Sequence, residues 1–76
     1  MQITNAQQFG AVIRAARKQL NLTQSQLAGA SGTGVRFIVD LERGKPTCEL
    51  EKALHIAHLL GLAFSVSGNA ELDVDE

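Results

Sequence analysis

Cysteine occurs once, at Cys48, in a chain of 76 residues, so no disulfide can brace a single copy of the fold. A lone thiol points to a reducing cytoplasm rather than to secretion. No apolar run approaches the ~20 residues that a membrane-spanning helix needs, and no membrane partner is expected. The first ten residues, MQITNAQQFG, lack the basic start and apolar core of a secretory signal. There is no internal repeat and no low-complexity tract. Metal ligands are sparse. His55 and His58 are three apart and can share a helical face, but no third ligand accompanies them, and a zinc site takes at least three from the protein. Gly32 and Gly34 make a G-x-G that follows no strand, which argues against a phosphate loop. Cys48 sits near a helix start that could lower its pKa, but no base can be named beside it, so a buried structural thiol is expected. No catalytic constellation is present. The chain is expected to be no enzyme and to carry neither cofactor nor metal.

Charge is also scarce overall, with a net of −1, but its distribution is uneven. Residues 1–45 hold Arg14, Arg17, Lys18, Arg36, Arg43 and Lys45 against Asp40 and Glu42, a balance of +4. Residues 46–76 hold Lys52 against Glu49, Glu51, Glu71, Asp73, Asp75 and Glu76, a balance of −5. The basic half could face a polyanion, or the two halves could be solvated faces of opposite sign. A domain of this size buries only ~60% of its unfolded surface and is marginal unless something adds to its core.

Hydrophobic spacing predicts helices. Thr4-Asn5-Ala6-Gln7 fits a capping box. Phe9, Val12, Ile13, Ala16 and Leu20 follow on one face, which predicts a helix over residues 5–20. Arg14, Arg17 and Lys18 fall off that face, where each can contact a phosphate or simply be solvated. Leu22 should pack inward. Thr23 and Thr33 each precede a short amphipathic run and can accept an orphan backbone N–H. Those runs predict helices over 24–30 and 34–42, separated by Ser31-Gly32-Thr33. In the second run Val35, Ile38 and Leu41 share a face, and Phe37 is expected to pack on a neighbouring helix. Gly44 and the sole proline, Pro46, stop the chain there. A fourth helix is predicted over 48–60, capped by Thr47 and ended by Gly61, with Leu50, Ala53, Leu54, Ala57 and Leu60 inward. Ile56 and Leu59 lie beside that stripe and suggest a second buried surface. Residues 62–67 alternate, with Leu62, Phe64 and Val66 on one face, as a strand would. Residues 68–76 are expected to be an acidic, flexible tail.

Thr23-Gln24, Leu27-Ala28, Gly32-Thr33, Ile38 and the exit Leu41-Glu42-Arg43-Gly44-Lys45 resemble the helix-turn-helix of the Cro/cI (Xre) repressor superfamily. The resemblance implies an all-α, lambda-repressor-like domain of four to five short helices over residues 1–67. In that superfamily Ala28 is the small residue where two helices cross, Gly32 is the turn, and Ile38 and Leu41 pin the reading helix to the core. Double-stranded DNA is the implied partner. The outward residues of the third helix, Gly34, Val35, Arg36, Val39 and Asp40, are then the candidate base contacts. Arg36 can bond guanine O6 and N7 together, or hold a phosphate, and Val35 can meet a thymine methyl. Asp40 can accept from cytosine N4 or orient Arg36 from four residues away. The resemblance implies phosphate contacts at Gln24, Thr33 and Lys45, to which Arg43 is added as an expected contact.

The run Gly34 to Thr47, followed by a helix and a lone strand, is similar to the HipB-type antitoxins, which pair with HipA-type kinase toxins. That resemblance implies a cytoplasmic homodimer that represses its own operon at a pseudo-palindromic operator and neutralises a kinase. Ile56, Leu59, Leu62, Phe64 and Val66 are the expected dimer interface, with the strand of residues 62–67 pairing antiparallel across the two-fold axis. A phage or restriction-control repressor without a toxin, and an interaction module that has lost DNA affinity, are the alternatives.

Overall fold

In the computed structural model, which describes residues 2–66 and residue 68, four helices follow one another: α1 (Ala6–Gln19), α2 (Gln24–Ser31), α3 (Val35–Arg43) and α4 (Leu50–Leu59). There is no strand among the described residues. Residues 69–76, and with them nearly all of the expected acidic tail, lie outside the described residues, as does Ser67 at the end of the expected strand.

The start of α1 differs from the sequence expectation by one residue. Asn5, not Thr4, is the N-cap, and its side chain accepts from the Gln8 backbone N–H at 2.8 Å. Gln8, not Gln7, reaches back, its Oε1 taking the Thr4 N–H at 2.6 Å. The competing boxes differ by one position, and an asparagine carboxamide caps at least as well as a threonine hydroxyl. Asn21, with φ 57°, ends the helix, and the Leu22 N–H turns back to the Arg17 carbonyl at 3.2 Å. Thr23 caps α2 as expected, and the structure adds a full capping box, closed by Gln26. Gly32, with φ 71°, ends α2 in the left-handed region, where a side chain would be strained. Thr33 does not cap α3. Gly34 does, and without a side-chain bond.

Ile13, Leu27, Ile38 and Ile56 are the largest fully buried side chains, each worth roughly 1.5–3 kcal/mol of transfer free energy. Ala16, Ala28, Ala53 and Ala57 are the small buried residues between them. Helix α1 lies directly against the end of α3. A Cβ at Gly10 would run into the carbonyl oxygens of Leu41 and Glu42, so only glycine permits that approach. Leu22, Phe37 and Leu62 pack on the core from its margin, and the Lys52 ammonium stands 5.7 Å from the Phe37 ring centroid. Leu20, expected inward, is 52% exposed just past the end of α1.

Two expectations about buried faces are corrected. The first concerns α4, which begins at Leu50 after Glu49, with no cap from Thr47. Its buried stripe is Ala53, Ile56, Ala57 and Leu60, while Leu50 and Leu54 face out. Ile56 is fully buried in its own chain and has no surface to give a partner. Both stripes satisfy the 3.6-residue period. Apolar residues sit nearly all round this helix, so periodicity left its phase undetermined. Gly61 ends α4 as expected, with φ 80°.

The second concerns Arg17, which is buried although expected off the face. Its Nε donates to Glu42 Oε2 at 2.6 Å, its Nη2 to Glu42 Oε1 at 3.0 Å, and its Nη1 to the Leu22 carbonyl at 2.8 Å. Glu42 holds the guanidinium charged against the cost of burial, so the Arg17 pKa is raised. Arg17 is four residues after Ile13 and therefore shares its face.

Candidate nucleic-acid interface

Helix α3 is pinned by Ile38 and Leu41 and turns its other side outward. Val35 is 43% exposed, and the Arg36 side chain is 83% exposed. Gly34 is exposed, and Val39 and Asp40 are half-buried. Val35, Arg36, Val39 and Asp40 therefore all reach the surface of α3, with Gly34 exposed at its start and the cationic Arg36 standing furthest into solvent.

Asp40 is flanked by two cations. Its Oδ1 lies 3.4 Å from Arg36 Nε and its Oδ2 lies 3.6 Å from Lys45 Nζ. The Lys45 backbone N–H also donates to the Asp40 carbonyl at 3.0 Å. Of the two roles open to Asp40, orienting Arg36 is the one this geometry serves. It equally draws Lys45, on the loop after α3, to the same edge of the helix.

The expected phosphate contacts are less uniform. Gln24 opens α2, and its Nε2 donates to Glu42 Oε1 at 3.2 Å. Arg43 is exposed at the last position of α3. Thr33 has both donors occupied. Its N–H goes to the Ala28 carbonyl at 3.0 Å, and its hydroxyl is 2.8 Å from that of Ser31. Ser31 donates its own proton to the Ala28 carbonyl, which makes Thr33 the donor between the two hydroxyls. Glu42 and Arg17 set the position of Gln24 and were missed. The signal was available in the spacing of Arg17 from Ile13 and in an acid inside the motif's exit.

Cys48 is half-buried and free. Burial and then the Asp40 charge push its thiol up, with Lys45 partly opposing, so a lowered pKa at a helix start is not found. Among the described residues no group of three or more His, Cys, Asp or Glu side chains could hold a metal. No helix among them is long and apolar enough to cross a membrane.

Away from α3, Leu59 is 43%, Phe64 48% and Val66 81% exposed. Leu62 is half-buried on its own core. The Phe64 ring stacks on Phe9 of α1, with centroids 5.6 Å apart. Leu50 and Leu54 add exposed apolar surface on α4.

A family model described as "Helix-turn-helix" matches residues 13–66, the span from mid-α1 to the segment after α4. The chain belongs to the Cro/cI-type helix-turn-helix family. A helix-turn-helix relative in Sinorhizobium fredii (strain NBRC 101917 / NGR234), the uncharacterized HTH-type transcriptional regulator y4mF, is 46% identical over 63 residues, 83% of each chain. The helix-turn-helix fold is also similar to solved structures. A chain of a HipB-O4 20mer complex superposes with a TM-score of 0.81 at 23% identity, over 92% of this chain and 99% of that one. A chain of a HipA-HipB-O2-O3 complex gives the same TM-score, identity and coverage. At that identity the likeness establishes the fold.

Proposed function

We propose that this helix-turn-helix protein is a sequence-specific DNA-binding repressor acting in the cytoplasm as a homodimer. We propose further that it is the antitoxin of a HipA-type kinase, repressing its own operon and neutralising the toxin. The observation that carries the DNA-binding reading is the outward face of α3, where Arg36 projects into solvent beside Asp40 and Lys45. A major groove admits such a helix, and a guanidinium can read guanine there. The similarity in fold to HipB chains described in complexes with a 20mer and with HipA supports the finer reading. Selection of bound duplexes from a random pool tests the first claim. A pseudo-palindrome with half-sites about one helical turn apart is the expected result, and no enrichment would overturn it.

The dimer is proposed on the exposed apolar residues Leu59, Phe64 and Val66, with the segment after α4 pairing across the two-fold axis. Ile56 is not part of it. An exposed apolar segment without ladder partners is a hazard that soluble proteins cover, and an isologous interface covers two at once. Phe64→Asp would also break the stack on Phe9. Val66→Asp, at an 81% exposed position, is the cleaner variant. Sedimentation should show a dimer at micromolar concentration that Val66→Asp weakens. A monomeric unaltered protein would overturn the dimer.

A stand-alone regulator is the second reading, favoured by the 46% identical relative, which is described only as a transcriptional regulator. Co-purification with a HipA-type kinase encoded beside the gene separates the two.

A further inference from the structure

We infer that Arg14, Gln24 and Arg43 form a seat for one DNA backbone phosphate, on the side of α3 opposite Lys45. The inference rests on the DNA-binding reading and adds a residue of α1 to the contact surface.

Three helices contribute to one hollow of about 430 Å³, lined by Arg14, Gln24, Val39, Glu42 and Arg43. An acid there should repel a phosphate. Glu42, however, has its side chain only 3% exposed and is bound to the guanidinium of Arg17 at 2.6 and 3.0 Å. Its charge is met by a buried cation, which leaves the surface cations of the hollow unopposed. Those cations are Arg14 and Arg43. Both are exposed, and neither has an ion-pair partner among the described residues. Gln24 adds a neutral donor. One of its two amide hydrogens goes to Glu42, and the second remains for a ligand. Two guanidinium forks and an amide around a hollow suit phosphate oxygens, which guanidinium groups bind in bidentate fashion.

Position on the helix decides the kind of phosphate. Successive residues of a helix are about 100° apart, so Arg36 and Arg43, seven residues apart, share the outward line of α3. Val39 lies to one side of that line and Asp40 to the other. Asp40 draws in Lys45, and Val39 lines the hollow. A helix lying in the major groove has a phosphate strand on each side of it. Lys45 serves one strand and the hollow the other. The basic groups of a chain with net charge −1 are thereby placed where a duplex would meet them.

The test uses a labelled random-sequence duplex, so no operator need be known. Binding is followed by fluorescence anisotropy between about 50 and 200 mM salt. Arg14→Gln and Arg43→Gln should each reduce the slope of log K against log salt by ~0.9, the counterion share of one phosphate contact. The double variant should lose about the same amount and no more, because the two arginines share one phosphate. Lys18→Gln, exposed on α1 and outside the hollow, should leave the slope unchanged. Circular dichroism should show unchanged helix content throughout. An unchanged slope for Arg14→Gln overturns the inference alone, as does an equal loss for Lys18→Gln. An unaltered protein that binds no duplex overturns the DNA-binding reading as well. A titration with inorganic phosphate that shifts the Arg14 and Arg43 NMR signals, with slopes unchanged, would make the hollow a site for a free anion instead.

Discussion

Two carboxylates stand two residues apart on α3, and they do opposite things. Glu42 turns inward, and with Arg17 it forms an ion pair whose side chains are 3% and 10% exposed. Asp40 turns outward and lies between Arg36 and Lys45, whose side chains are 83% and 53% exposed. The buried pair is short and supplemented by the Leu22 carbonyl and the Gln24 amide. The outer trio is long, at 3.4 and 3.6 Å. The same pairing of charges is therefore a structural clamp in one place and, in the other, a loose surface trio suited to the reading role proposed for it. Burial makes the difference. Exposed pairs contribute ~0.2–1 kcal/mol, while removing one partner of a buried pair costs ~3–5 kcal/mol.

Breaking the clamp should give the largest effect. Arg17→Met leaves the Glu42 charge buried without its partner and should destabilise the fold by ~3–5 kcal/mol. Small domains have total stabilities near the low end of ~5–15 kcal/mol, so much of the protein would unfold at room temperature. The double variant Arg17→Met, Glu42→Leu removes both charges and should recover most of the loss, because apolar replacement of a buried pair is often neutral. Urea melts of the two variants decide this. A single variant losing less than ~1 kcal/mol, the scale of an exposed pair, would place the two clusters on the same footing.

The outer trio should respond in binding rather than in stability. Arg36→Ala should leave the urea midpoint nearly unchanged, since surface changes usually stay within ±0.5 kcal/mol. It should cost ~1–3 kcal/mol of operator affinity and relax the preference at one base pair per half-site. A loss that is uniform across sequences would identify Arg36 as a phosphate contact.

The sequence made the outward side of α3 more legible than the clamp, and the reason is physical. Outward residues of a helix follow from the period once the inward ones are known, and Ile38 and Leu41 fixed those. The clamp depends on where α1 crosses α3, set by Gly10 lying against the Leu41 and Glu42 carbonyls. No local pattern encodes that approach. Arg17 follows Ile13 by four residues and so shares its face, but its charge argued for solvent until its partner was located. Helix α4 failed differently. With apolar residues nearly all round, its period is clear and its phase is not, so the sequence points Ile56 to an interface that its full burial denies it. The turn at Gly32 and the hydroxyl cap at Thr23 are readable because they depend on chemistry within a few residues.

The smallest effect tests whether Asp40 acts through Arg36 or on the DNA itself. Asp40→Asn removes the acceptor charge of two long pairs whose cations are exposed, so stability should change by under ~1 kcal/mol. It also removes a negative charge from a face that meets phosphates, so binding to random-sequence duplex should tighten slightly. If Asp40 orients Arg36, specificity should fall at the same time, and at the same base pair that Arg36→Ala relaxes. The decisive measurement is a double-variant cycle. In an Arg36→Ala background, Asp40→Asn should have no further effect on base preference, because the group it positions is gone. A direct contact to cytosine N4 predicts the reverse, a separate loss at a second base pair that persists without Arg36. Lys45→Ala supplies the control from the other side of the carboxylate. It should weaken all sequences alike and flatten the salt slope by about one, with base preference intact. Should Lys45→Ala relax the same base pair as Asp40→Asn, the trio would work as a single unit, and the separation of reading from phosphate holding on this edge of α3 would be lost.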